Sequence, residues 1–242
     1  MKTKLFVFAL KVYYLYTFPH THLLTESALL GALSKRWDVM DAMNSIILRG
    51  RVSGLPRYSH ESHQTRYYQM ELTTTRLSGT EDILRVLLGE PLALAHADLF
   101  PGESVELVGS LRSFNNKSGQ GSRLMLSALA KALSHSELPS ENRVLLSGTL
   151  CKPPVYRRTP LGREICDLMV AVPRRYGRAD YLPVIAWGTC ARLGAEKEVG
   201  DAITVEGRFQ SRKYVKLLGD LGEERVAYEV SAVHIDGEIA VL

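Results

Sequence analysis

From Met43 onward the chain is a succession of short runs in which apolar and polar residues alternate, a period of two that predicts strands rather than helices. Ile203, Val205 and Phe209 share one side of such a run, and Val105, Leu107 and Leu111 share the same side of an earlier one. In the C-terminal part the runs predict strands over 143–150, 164–172, 181–187, 202–214 and 225–235. Between the third and fourth, residues 189–198 have the composition of a helix that stops before Gly200.

The pattern recurs at a constant offset of 98 residues. Asn44-Ser-Ile-Ile-Leu-Arg-Gly-Arg-Val aligns with Asn142-Arg-Val-Leu-Leu-Ser-Gly-Thr-Leu, Pro56 with Pro154, Tyr58 with Tyr156 and Asp82 with Asp180. A gap is needed only after Ser113 and Ser211, where the second copy is six residues longer. Two copies of one domain are the simplest account. Five strands with a helix between the third and fourth is the order of an OB barrel. The expected fold is therefore mainly β, two tandem five-stranded OB barrels, the first over 43–133 and the second over 142–242, joined by a linker at 134–141 containing Pro139.

Charge sharpens the picture only when it is divided. The formal net charge is +4, yet residues 142–216 hold 14 Lys and Arg against 7 Asp and Glu, whereas 43–141 hold 10 of each. Such a local basic excess suits a polyanionic partner. Cys151, Cys166 and Cys190 fit neither a zinc spacing nor a disulfide framework and read as reduced, so the expected compartment is the cytoplasm. His60 and His63 lie in a polar hairpin without further ligands, which argues against a metal. No nucleophile with a base, phosphate loop or carboxylate cluster is recognisable, so neither an enzyme nor a cofactor is expected.

Residues 1–42 stand apart. Leu5 to Phe18 is apolar but carries Lys11, and it is shorter than the ~20 residues of a membrane span. Only the loose Ser27-Ala-Leu-Leu-Gly-Ala offers itself as a cleavage site. The stretch reads as an extension, disordered or upstream of a true start at Met43 or Met40, and no membrane association is expected.

In the second copy, Asn142-Arg-Val-Leu-Leu-Ser-Gly-Thr-Leu, Gly162, Tyr181-Leu-Pro-Val-Ile-Ala-Trp-Gly-Thr-Cys-Ala and Val205-Glu-Gly-Arg-Phe-Gln-Ser-Arg-Lys-Tyr resemble the bacterial single-stranded DNA-binding protein family. The first copy resembles it only through its relation to the second. The resemblance implies sequence-tolerant binding and protection of single-stranded DNA in replication, recombination or repair. Tyr176, Tyr181, Trp187 and Tyr214 match the family's four base-stacking aromatics. The family commonly assembles four barrels, which for a two-barrel chain implies a homodimer. It commonly ends in an acidic tail that recruits replication proteins, and Ile239-Ala-Val-Leu242 does not match that tail.

The residues support a binding face independently. In the third strand Leu182, Val184 and Ala186 should fill the barrel, while Tyr181, Pro183, Ile185 and Trp187 face the other way. Arg208, Gln210, Arg212 and Tyr214 should point away from the core side of the fourth strand. With Arg174, Arg175, Arg178, Lys213 and Lys216 they interleave cations with aromatics, as a single-strand groove requires. Pro183 lacks a donor and implies a bulge or an edge there. In the first copy Ser78, Ile83, Gly89 and Asn116 replace the aromatics, leaving Arg76, Arg112, Phe114 and Lys117 as weaker candidates, with Tyr67 and Tyr68 free to stack or pack. The competing reading keeps the barrels but makes the chain a replication-restart or scaffold protein that contacts mainly other proteins.

Overall fold

The computed structural model describes residues 43–116, 123–174, 178–218 and 221–236, so the expectations placed on residues 1–42 and on the last six residues lie outside it. The first strand set is β1 (Asn44–Ser62), β2 (Thr65–Thr75), β3 (Glu81–Gly89), the short helix α1 (Glu90–Ala95), β4 (Ser104–Asn115) and β5 (Leu124–His135). The second is β6 (Glu141–Leu150), β7 (Val155–Arg158), β8 (Glu164–Pro173), β9 (Ala179–Trp187), the helix α2 (Thr189–Ala195), β10 (Ala202–Leu218) and β11 (Leu221–Ile235).

Pairing follows one scheme in both sets. β1 pairs β2 and β4, β2 pairs β3, β4 pairs β5, and β3 lies parallel to β5, which closes a five-stranded barrel. In the second set β6 pairs β8 and β10, β8 pairs β9, β10 pairs β11, and β9 lies parallel to β11. The fold is mainly β and of the OB kind. The helix follows the third strand as expected, but the fourth strand runs on to Leu218, because β11 pairs with it as far as Leu218↔Leu221.

Strand alternation sets the core. Leu182, Val184 and Ala186 of β9 and Ile203, Val205 and Phe209 of β10 are buried, as are Val105, Leu107 and Leu111 of β4. Pro183 sits in β9 opposite Met169 without a bulge. Pairing with β11 begins one residue later, at Val184, so at Pro183 only the β8 side of the strand is paired. The two sets differ in their first strand. β1 runs unbroken through Pro56 into a hairpin with β2, whereas in the equivalent stretch Pro153, where the first set has Leu55, adds a second proline and β7 is a separate four-residue strand.

β1 and β6 also pair with each other, antiparallel, with Ile46 opposite Val144. These two residues are 98 apart, the offset of the repeat, so a local two-fold axis passes between them. Leu48↔Asn142 and Asn44↔Leu146 are related by it. The same symmetry appears in side-chain bonds. The Asn44 amide bridges the backbone of Leu111 through 2.8 Å bonds in both directions, and Asn142 does the same at Phe209. Asp82 accepts from the Ser211 N–H at 2.9 Å, and Asp180 accepts from the Ser113 N–H at 2.7 Å. Each strand set thus places one buried carboxylate on the backbone of the other.

Glycine occurs in this scheme where space demands it. A Cβ on Gly109 would lie 2.1 Å from the Leu129 carbonyl oxygen, and one on Gly207 would lie 2.3 Å from that of Ser231. Both glycines sit at a register shift, between Val108 and Gly109 in β4 and between Glu206 and Gly207 in β10. Gly207→Ala is expected to lower stability by about 1–3 kcal/mol through this overpacking, seen as a lower urea midpoint at unchanged slope. An unshifted midpoint would show that the bulge relaxes.

Candidate nucleic-acid interface

β9 presents two rings to solvent. Tyr181 near its start is 50% exposed and Trp187 at its end is 40% exposed. Six residues of extended chain separate them by about 20 Å on one face. Between them Pro183 is half-buried and Ile185 is buried, so the two rings stand out from a mostly covered strand. The Tyr181 N–H donates to the Ser113 hydroxyl at 2.8 Å, which anchors the start of the face on the other strand set.

The extended β10–β11 hairpin supplies cations. Arg212 lies over the Tyr214 ring at 5.8 Å and 3.6 Å from Glu229, and the Lys213 ammonium is 3.2 Å from Glu224. Arg212 and Lys213 are exposed and Tyr214 is half-buried. Gln210, on the same strand, is buried and donates to Glu229 at 3.0 Å rather than reaching outward. Arg208 is half-buried, with its Nε enclosed and without a hydrogen-bond partner. Arg178 stands exposed beside the start of β9.

Arg174 is placed otherwise. Its guanidinium forks onto the buried Asp180 and donates to the Ser113 carbonyl at 3.0 Å, so it builds the seam between the sets. Arg76 repeats the arrangement on Asp82, with two 2.6 Å bonds, and Arg112 donates to Asp180 at 2.9 Å. Phe114 is exposed at 42%. Tyr176, Arg175 and Lys117 lie outside the described residues, and Lys216 lies on β10 with its side chain outside them as well.

Residues that strand alternation does not single out, Arg163 and Glu164 among them, surround Trp187. A groove beside it is lined by Arg158, Gly162, Arg163 and Glu164. Glu164 accepts from the Tyr156 hydroxyl at 2.7 Å, from Arg158 at 3.3 Å and from Arg192. The Tyr156 bond and the two guanidiniums hold the Glu164 carboxyl below its ordinary range, against an opposing effect of desolvation. Glu164 is thus an anion at neutral pH that gathers arginines beside the ring. Arg163 is exposed. The one sequence signal was the turn Thr159-Pro-Leu-Gly-Arg, in which Gly162 at φ +78 brings the chain back to start β8 beside the end of β9.

In the first strand set the positions equivalent to the aromatics hold no rings. Ile83 is 49% exposed, and Gly89 precedes α1 where Trp187 stands in the second set. Among the described residues no cluster of His, Cys, Asp and Glu could hold a metal ion, and no helix is long and apolar enough to cross a membrane. The three thiols are unpaired, and burial pushes each above its ordinary range, which suits packing rather than reactivity.

Residues 141–237 match the single-strand binding protein family. A single-stranded DNA-binding protein of Neisseria meningitidis serogroup A is 32% identical over 102 residues, 38% of this chain and 57% of the relative. One from Thermus aquaticus is 33% identical over 100 residues, 39% of this chain and 37% of the relative. The alignments therefore span little more than half of these relatives at most. The crystal structure of the wild-type Thermus aquaticus protein superimposes with a TM-score of 0.66 at 23% identity, covering 80% of this chain and 92% of that one. A deletion mutant of the same protein gives 0.65, 22%, 81% and 95%. A likeness over four-fifths of the chain extends past residues 141–237 and shows that the fold is shared beyond them.

Proposed function

We propose that this chain, whose residues 141–237 match the single-strand binding protein family, is a bacterial single-stranded DNA-binding protein that binds single-stranded DNA in a sequence-tolerant way and protects it in replication, recombination or repair. Proteins of this family bind without catalysis, and the chain is not an enzyme. In this reading both strand sets are OB domains, 43–133 and 142–242, and the second carries the main binding face. Two chains associate to bring four barrels together, and they work in the cytoplasm.

The observation that carries the reading is the exposure of Tyr181 and Trp187 at the two ends of one strand, inside the family-matched segment, with exposed Arg178 just before that strand and exposed Arg212 and Lys213 on β10, one strand removed. Flat rings accept any base on their faces, and cations neutralise the phosphates between them. Such a surface needs no reader of base edges, so it tolerates sequence.

The test is tryptophan emission. Trp37 and Trp187 are the two tryptophans, so in the full chain carrying Trp37→Phe all emission comes from Trp187. Oligo-dT is expected to quench it saturably, and raising salt to release the DNA. Emission unchanged at saturating oligo-dT would overturn the stacking role. Weak binding without salt dependence would favour the scaffold reading instead.

A further inference from the structure

The outer side of β3 holds no ring, but it is engaged elsewhere. β3 lies against β10 of the second strand set, and residues at and near its start reach both strands of the β10–β11 hairpin at one rung. Ser211 and Tyr228 stand opposite each other there. Asp82 accepts from the Ser211 N–H at 2.9 Å and from its hydroxyl at 3.2 Å, and Arg76 donates to the Ser211 carbonyl at 3.5 Å. On the other strand of the rung the Arg85 guanidinium lies over the Tyr228 ring, 5.1 Å from its centroid.

Arg85 is steadied for this contact from its own side. Its Nη1 is 3.2 Å from the Met125 sulfur of β5, the strand that runs parallel to β3. Tyr228 is braced from the other side by Phe209, with ring centroids 5.8 Å apart, and Phe209 is fully buried with its backbone bridged by Asn142. A cation over a partly buried ring face gains more than one in open water. Burial pushes the Tyr228 hydroxyl above its ordinary range, and the Arg85 charge opposes that shift. Arg212, Lys213 and Tyr214 follow directly on β10, so the rung gripped by the first set is the one that precedes the cations.

The local two-fold axis repeats the carboxylate half of this arrangement and not the arginine half. Asp180 holds Ser113 as Asp82 holds Ser211, but Pro183 stands where the repeat places Arg85, and Leu124 where it places Tyr228. The arginine clamp therefore runs one way, from the first set to the second. It also falls on the longer hairpin, since β10 runs to Leu218 whereas β4 ends at Asn115. A two-stranded ribbon that outruns its barrel is marginal on its own, so its direction depends on what grips it.

We propose that Arg85 is a positioning residue for single-strand binding: through Tyr228 it clamps the β10–β11 hairpin to the first strand set and so fixes where Arg212, Lys213 and Tyr214 meet the strand. Arg85 acts through the Tyr228 ring and touches no DNA. The inference rests on the single-strand reading above, and within it the first set, which lacks the rings, aims the hairpin of the second.

The test begins on the full chain without DNA. Hydrogen exchange read by mass spectrometry is expected to rise over residues 208–215 and 224–230 in Arg85→Ala and in Tyr228→Leu, with β9 unchanged. Tyr228→Phe keeps the ring face and with it the slow exchange. Anisotropy titrations of dye-labelled oligo-dT then read the consequence. Arg85→Ala and Tyr228→Leu should each weaken binding about fivefold, within the range of a partly buried cation–π contact, and the double variant no further than either alone. Tyr228→Leu removes no charge, yet it is expected to flatten the salt slope, because Arg212 and Lys213 lose their placement; a loss of stability alone leaves that slope unmoved. Arg85→Lys keeps a cation and recovers part of the affinity. Unchanged exchange in both variants would overturn this proposal alone. So would an affinity loss confined to Arg85→Ala with Tyr228→Leu at the wild-type value, which would make Arg85 a direct phosphate contact. Failure of the unsubstituted chain to bind oligo-dT would overturn it together with the reading beneath it.

Discussion

Asp180→Ala is expected to lower the unfolding free energy by about 3 kcal/mol, the lower end of the range for breaking a buried pair by removing one partner. Asp180 is fully buried, and its carboxylate accepts from Arg174, from Arg112 at 2.9 Å and from the Ser113 N–H at 2.7 Å. Its loss strands two guanidiniums and one backbone donor in the seam. The arginine side chains are 27% and 22% exposed, so water reaches them and moderates the cost. Asp82→Ala should cost less, because only Arg76 and the Ser211 N–H and hydroxyl depend on that carboxylate. Urea unfolding followed by circular dichroism measures both. A shift for Asp180→Ala no larger than that of a surface alanine substitution would show that the seam does not contribute to stability.

Loss of a platform ring should have the largest effect on binding. Trp187→Ala and Tyr181→Ala are each expected to weaken oligo-dT binding by about 1–3 kcal/mol, roughly 5- to 150-fold, the known range for base stacking in single-strand binders such as this family. The salt slope should not change, because a ring releases no counterion. Arg212→Ala and Lys213→Ala should act in the opposite manner, with a modest affinity loss and a slope shallower by about 0.7 each. The proximity of Glu229 and Glu224 to these cations makes the smaller outcome the expected one. Anisotropy titrations of dye-labelled oligo-dT at several salt concentrations separate the two behaviours and also read Trp187→Ala, which lacks the emitting ring. A steep change of slope in Trp187→Ala, or none in either cation variant, would contradict the assignment of rings to bases and cations to phosphates.

Both measurements belong in the full chain. Cutting between the strand sets would uncover the edge of β6 that β1 covers and would leave Asp180 without Arg112 and Ser113. A truncated second half that bound poorly would report on this damage as much as on its binding face. Point substitutions on β9 and on the β10–β11 hairpin apportion affinity without opening the seam.

The amino-acid sequence by itself determined what depends on period two and on order along the chain. Alternation in β9 and β10 told which side of each strand enters the core, and it left Tyr181, Trp187 and Arg212 outside, where the structure has them. The 98-residue offset told that two similar stretches follow one another, and the pairings within them follow one scheme apart from the separate β7. Only the tertiary structure decided which outward residues remain free. Arg174, Arg76 and Arg112 carry the same charge as Arg178 and Arg212, but buried carboxylates claim them, and Arg112 and Ser113 reach Asp180 from 68 and 67 residues away. Ser211 is 129 residues from the Asp82 that holds it. Arg163 came to Trp187 by the converse route, through a turn beside the end of β9, and Arg192 came to Glu164 in that groove from the helix α2. Alternation along a strand names the face a side chain takes, but what covers that face is chosen by strands far away in sequence, through register and buried charge that no local pattern records.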